Sequence, residues 1–238
     1  MSPAEAAGQL VRERFPHARA AWLGGSSASG NATATSDLDV TVLLAGPPAP
    51  YRESLHHGDR PVELFVQTEE TLEFFRAEER ARRRPTTLRL IAQSHILVDG
   101  DGSGVRLRDS CARLLAAGPD PLTEAEVRAA RYRSTDLLDD LLGSPDADER
   151  LAIAATLWRA TADLLVTGHG RWTGDGKWLH REMVALDRDA GTDHAGALGR
   201  GVRCVASGDI APMATAVLRV LDLFGGRLFD GFRVAGPA

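Results

Sequence analysis

Two stretches of the chain carry the two-residue period of a β-strand. LDVTVLL at 38–44 is almost wholly aliphatic and β-branched, and PVELFVQT at 61–68 sets Val62, Leu64 and Val66 on one side with Glu63 on the other. AAWLGG at 20–25 reads as a shorter strand that ends in glycine, and residues 4–15 as a short helix anchored by Leu10, Val11 and Phe15. GPPAP at 46–50 breaks the chain. A polar helix is predicted from 69 to about 83, ending in the run RARRR at 80–84. That run reads as a solvated helix end, with phosphate binding as the sharper alternative. ILVDGDGSGVRL then gives a strand, a tight glycine turn and a helix over about 105–117. His56 and His57 fall in a predicted loop with no second pair of metal-ligand type, and receive no role.

The pattern changes at GPDPLTEAEV, 118–127. Two prolines interrupt the chain, and Thr123 and Glu126 then have the spacing of a helix capping box. Beyond this point the apolar residues recur at helical spacing, over 124–142, 148–167, 176–186, 194–206 and 211–230, with no strand among them. The expected fold is therefore α+β. It has a small mixed sheet flanked by helices over 1–120 and a helical bundle over 121–238.

Composition narrows the function classes. The 238 residues are 43% hydrophobic and 26% charged, ordinary for a soluble globular protein. No apolar run approaches the roughly 20 residues needed to span a bilayer. MSPAEAAGQLVRERF lacks the basic start and apolar stretch of a signal peptide. Cys111 and Cys204 are far apart, without metal-like spacing. A cytoplasmic protein is expected. The net charge of -5 argues against general nucleic-acid binding. Lys177 is the single lysine among 28 Lys and Arg residues. In a chain otherwise committed to arginine, either it survives by chance or a compact ammonium matters there.

Asp37 and Asp39 carry the chemistry. Residues two apart on a strand share a face, so both carboxylates project together while Leu38 and Val40 point to the core. Adjacent carboxylates repel and resist burial, and a divalent cation is the usual remedy. Hard oxygen ligands of this kind suit Mg²⁺, held by one or two carboxylates plus substrate phosphates. Taken alone, Glu63 reads as an exposed residue of an edge strand. Beside Asp37 and Asp39 on a neighbouring strand it would complete a three-carboxylate metal cluster. Directly upstream, Gly24, Gly25 and Ser26 follow a strand, and a backbone turn of this kind can approach and cradle phosphates. The loop would then hold the polyphosphate and the strand the metal.

Rival motifs fall short. Gly25 and Gly30 have P-loop spacing, but Asn31 and Ala32 replace the Lys and Ser/Thr that motif needs. DGDGSG at 99–104 opens like a calcium loop, yet Ser110 stands where a bidentate glutamate is required and no helix precedes it. It reads as a hairpin or a strand-to-helix turn.

The set Gly25, Ser26, Asp37 and Asp39, with the wording SDLDV, resembles the signature of the polymerase-β-like nucleotidyltransferases. Glu63 stands where that family places its third carboxylate. The resemblance covers residues 20–67. It implies two Mg²⁺ ions at Asp37, Asp39 and Glu63, and transfer of a nucleoside monophosphate from ATP or another nucleoside triphosphate to an acceptor hydroxyl. A small catalytic half before a helical half resembles the antibiotic nucleotidyltransferases that modify aminoglycosides or lincosamides. GDGKWLHREM at 174–183 is similar to a stretch in the helical half of related bacterial proteins, which makes Lys177 a candidate for the triphosphate. Where many relatives have an arginine after the Gly-Ser pair, this chain has Ser27 and Ser29. Asp136, Asp139 and Asp140 are candidates for the general base, against a plain role as solvated helix residues. Trp172 and Trp178 are either core residues or platforms for a base or sugar. The resemblance implies a small-molecule hydroxyl acceptor. Modification of a protein partner, as in a toxin–antitoxin pair, and a non-catalytic nucleotide-binding module are the alternatives. Oligomeric state is open.

Overall fold

The computed structural model describes residues 1–28, 30 and 36–234. They form two compact units, Met1–Gly118 and Pro119–Ala238 by their contacts.

The first unit is built on a five-stranded sheet. Its strands are β1 (Ala20–Leu23), β2 (Leu38–Leu43), β3 (Tyr51–His57), β4 (Arg60–Gln67) and β5 (His95–Asp99). Their spatial order is β3-β4-β2-β1-β5. β2 and β4 run parallel, and every other pair is antiparallel, so the sheet is mixed, as the sequence predicts. One face carries Ala21, Leu23, Leu38, Val40, Val42, Val62, Leu64 and Val66 and is covered by α1 (Pro3–Arg14) through Ala6, Ala7, Leu10 and Val11. Full burial of these aliphatic side chains, about 1.5–3 kcal/mol each for the larger ones, fixes which way each strand faces. A capping box between Ser2 and Glu5 starts α1.

The opposite face carries Trp22 and Thr41, both buried. The helices α3 (Glu69–Ala81), α4 (Thr86–Ala92) and α5 (Ser103–Ala117) complete the unit, bringing Leu72, Leu88, Ile91, Leu107 and Cys111 into burial. The Trp22 indole N–H donates to the Gly104 carbonyl at 3.2 Å, at the start of α5. DGDGSG is a strand-to-helix turn. Asp99 accepts from the Gly104 and Val105 backbones at 2.8 and 3.1 Å, and Asp101 from Ser103 at 3.0 Å. These carboxylates cap α5, which starts two residues earlier than predicted.

Two elements differ from expectation in this unit. His56 and His57 lie on β3 instead of in a loop. β3 is an edge strand with only Tyr51 and Leu55 as apolar residues, so its alternation is faint. The short α4 follows the arginine run unpredicted. Its first free N–H groups are met by Glu79, a buried residue of α3 that accepts from Thr87 and Leu88 at 2.6 and 3.0 Å.

The second unit is helical throughout: α6 (Glu124–Gly143), α7 (Ala147–Gly168), α8 (Lys177–Ala190), α9 (His194–Ala206) and α10 (Ala211–Leu223). Its core includes Leu138, Leu157, Leu164, Leu179, Met183, Leu198, Val217 and Val220. The capping box of Thr123 and Glu126 is formed in both directions. α10 stops at Leu223, short of the predicted 230. Gly225 and Gly226 adopt positive φ there, which glycine alone tolerates cheaply. The Arg131 guanidinium on α6 binds the carbonyls of both. Among the described residues, no helix is long and apolar enough to cross a membrane.

Candidate active site

β2 and β4 bring the carboxylates together by register alone. Asp37 immediately precedes β2, and Asp39 lies two residues on, facing the same way. Asp39 stands opposite Glu63 across the parallel pair. One carboxylate oxygen from each of Asp37, Asp39 and Glu63 lies within 4.8 Å of the other two. All three residues are half-buried. Leu38 and Val40, on the other side of the same strand, are 1% and 0% exposed, so the strand cannot turn to spread the charges. Three negative groups held this close oppose one another. A hard divalent cation is the partner their oxygen donors fit.

The glycine turn is fastened to the same strand. The Gly24 N–H donates to the Asp39 carbonyl at 2.8 Å. Gly25, with φ 65°, opens the one-turn helix α2 (Gly25–Ala28). A Cβ on Gly25 would lie 1.8 Å from Asp39 Oδ2, and a Cβ on Gly24 would lie 2.6 Å from the Leu90 carbonyl oxygen. Neither position admits a side chain without moving the site. Ser26 Oγ donates to Ser36 Oγ at 3.1 Å, and Ser27 Oγ donates to the Asp37 carbonyl at 2.9 Å. The turn and the carboxylate strand are therefore one piece. Ser29, Asn31 and Ala32, which entered the reading of the loop, lie outside the described residues.

A residue that the sequence reading missed completes the cluster. Arg52 on β3 places Nη2 2.7 Å from Glu63 Oε1 and 2.8 Å from Oε2. Its guanidinium also lies 5.1 Å from the centre of the Phe65 ring, within the range of a cation–π contact. β3 and β4 form a hairpin whose loop is Gly58-Asp59, and Ser54 stands opposite Glu63 and Arg52 opposite Phe65. The signal was present in HHGDRP: a Gly-Asp pair between two runs is a two-residue hairpin turn. Gly58 adopts the positive φ such a turn needs.

The remaining candidates are distributed as follows. Lys177 is exposed and opens α8, in the second unit. The loop before it is braced on α7: Arg159 binds Asp163 at 2.7 Å and Asp175 at 2.6 Å, and the Thr173 hydroxyl donates to Asp163. Asp136, Asp139 and Asp140 are exposed on α6. Asp139 is held by Arg227, whose Nη2 contacts both its oxygens, and so serves to fasten the segment after α10. Trp172 is buried at 5% exposure, a core residue. Trp178 is partly buried with the Arg181 guanidinium 4.8 Å over its ring. Burial pushes the Cys111 thiol up to about 11, which keeps it protonated and unreactive.

The sequence comparisons agree with where this cluster lies. Residues 8–95 match the family model of the nucleotidyltransferase domain, a span that contains the glycine turn and all three carboxylates. No curated protein matches the chain. Among solved structures, a nucleotidyltransferase-like protein from Exiguobacterium sibiricum 255-15 aligns at 11% identity and a TM-score of 0.44, over 92% of this chain and 80% of that one.

Proposed function

We propose that this protein transfers a nucleoside monophosphate from a nucleoside triphosphate, ATP in the first instance, to a hydroxyl of a small-molecule acceptor. The observation that carries the reading is the convergence of Asp37, Asp39 and Glu63 within 4.8 Å, inside the span that matches the nucleotidyltransferase domain.

In the reaction, the acceptor oxygen attacks the α-phosphorus in line with the bond to the β-phosphate. That bond breaks, pyrophosphate leaves, and the hydroxyl proton passes to a base. Asp37, Asp39 and Glu63 would hold one Mg²⁺, and Asp37 and Asp39 a second. When bound, such ions lower the pKa of the attacking hydroxyl and neutralise charge on the leaving pyrophosphate. The chain's own residues supply position and shape. Gly25 would offer the phosphates an approach without a side chain and Ser26 the turn that follows it, beside the carboxylates and tied to them. The parallel register keeps the three acids aimed without movement at the moment of reaction, as electrostatic catalysis requires. Lys177, the first residue of α8, is the proposed cation for the triphosphate. The helical unit would shape the acceptor pocket, with Asp136 or Asp140 as base. Asp139, already paired with Arg227, is the weakest of the three for that role. An aminoglycoside-like antibiotic is the proposed acceptor class, resting on likeness of layout and so on analogy.

Mass spectrometry of the protein incubated with Mg²⁺, ATP and a pool of aminoglycosides and lincosamides tests the reading. One pool member should gain one adenylate, with an equal amount of pyrophosphate released. Gain of mass on a protein instead would transfer the acceptor role to a macromolecule.

A further inference from the structure

Glu63 meets a positive charge before any cation arrives. We propose that Arg52 is a built-in counter-ion for the carboxylate cluster, one that a divalent cation must displace from Glu63 to occupy the site. The inference rests on the metal-binding reading of Asp37, Asp39 and Glu63 above.

Three observations carry it. First, Nη2 of Arg52 spans both Glu63 oxygens, at 2.7 and 2.8 Å. A cation bound by all three acids needs one of those oxygens, within 4.8 Å of donors on Asp37 and Asp39. Guanidinium and dication would then share one carboxylate and repel each other across it. Second, the strand register puts Arg52, Glu63 and Phe65 on one face of the hairpin, so the guanidinium meets Glu63 from a fixed edge. Third, the side chains of Arg52 and Glu63 are 62% and 27% exposed. An ion pair with one partner this open is weak and readily exchanged. The Arg52 guanidinium, 5.1 Å from the centre of the Phe65 ring, sits on an exposed side chain and can swing outward without disturbing the core.

Arg52 is thus a positioning residue. In the metal-free protein it offsets the repulsion among three close acids and keeps Glu63 aimed. In the loaded protein it opposes the cation and sets the concentration at which the site fills.

The test is Mn²⁺ titration of the full-length protein without nucleotide, reading free Mn²⁺ by electron paramagnetic resonance, together with melting curves. Arg52→Gln should bind Mn²⁺ about tenfold more tightly than wild type, a change of the size expected from removing one nearby like charge. Arg52→Lys, which keeps the charge, should stay close to wild type. Without metal, Arg52→Gln should melt below wild type, and Mn²⁺ should raise its Tm more than it raises that of wild type. If Arg52→Gln binds Mn²⁺ no more tightly than wild type while Asp39→Asn abolishes binding, the counter-ion role is wrong and the metal site stands. If wild type binds no Mn²⁺, or Asp39→Asn binds as wild type does, the metal site fails and the counter-ion role falls with it.

Discussion

Three carboxylates are brought together residue by residue at one end of two strands. Asp37 and Asp39 were legible because a strand has a period of two: once 38–43 is a strand, both acids must share a face. Glu63 was legible as a misfit, an acid opposite Val62 and Leu64 in an apolar run. Arg52 was harder to place: the Gly-Asp turn in HHGDRP marks the hairpin, but a strand at the sheet edge with alternating exposure carries little apolar signal to show which of its residues face Glu63. Asp39→Asn keeps the shape of the side chain and removes its charge. It should leave the melting curve near wild type and reduce transfer by about a thousandfold or more, the scale of losing a key electrostatic group. A rate within tenfold of wild type would remove Asp39 from the mechanism. Gly25→Ala tests the turn. Its new Cβ would lie 1.8 Å from Asp39 Oδ2 on a backbone at φ 65°. The variant should lose Mn²⁺ binding and transfer together and melt a few degrees lower. Unchanged Mn²⁺ affinity would show that turn and carboxylate are not coupled.

At the scale of elements, the long helices were read from their apolar spacing, and the errors lie where a glycine stop or a tertiary contact decides. α10 ends at Leu223, where Gly225 and Gly226 take positive φ and Arg131, far away in sequence, binds the carbonyls of both. The glycine pair is a local stop signal that apolar spacing alone passes over, and no local pattern announces the Arg131 contact. α4, only seven residues long, exists because Glu79 caps it from the end of α3. This arrangement has a consequence in pH. Burial raises the pKa of Glu79 above the ordinary glutamate value, outweighing the backbone N–H groups and Arg82 that lower it. The folded protein therefore holds this proton more tightly than the unfolded chain. Its contribution is fully present below the unfolded value, about pH 4, and is lost as pH rises through the folded value. Denaturant melts of wild type and Glu79→Gln from pH 4 to 7 should show wild type losing stability relative to the variant as pH increases. Parallel curves would mean that the carboxylate is not desolvated in the folded state.

At the scale of the whole molecule, the chain is two units with separate cores, one around the sheet and one among the helices. Prolines and a capping box at 118–127 made the change of architecture visible in the sequence. The acceptor stayed illegible because the shape of any pocket depends on how side chains from distant segments meet, which periodicity does not encode. Since the carboxylates, the glycine turn and Arg52 all belong to Met1–Gly118, residues 1–118 expressed alone should melt cooperatively and bind Mn²⁺ with an affinity close to that of the full chain. A fragment that fails to fold would tie the sheet's stability to the helical unit. The central claim is that these three acids carry out nucleotidyl transfer. The most direct measurement is pyrophosphate release from a mixture of the four ribonucleoside triphosphates with Mg²⁺ and pooled hydroxyl acceptors, comparing wild type with Asp39→Asn. Acceptor-dependent release by wild type and none by Asp39→Asn is the expected result. Equal release by the two proteins, or Mg²⁺-dependent nucleotide binding by wild type with no release for any acceptor, would contradict it.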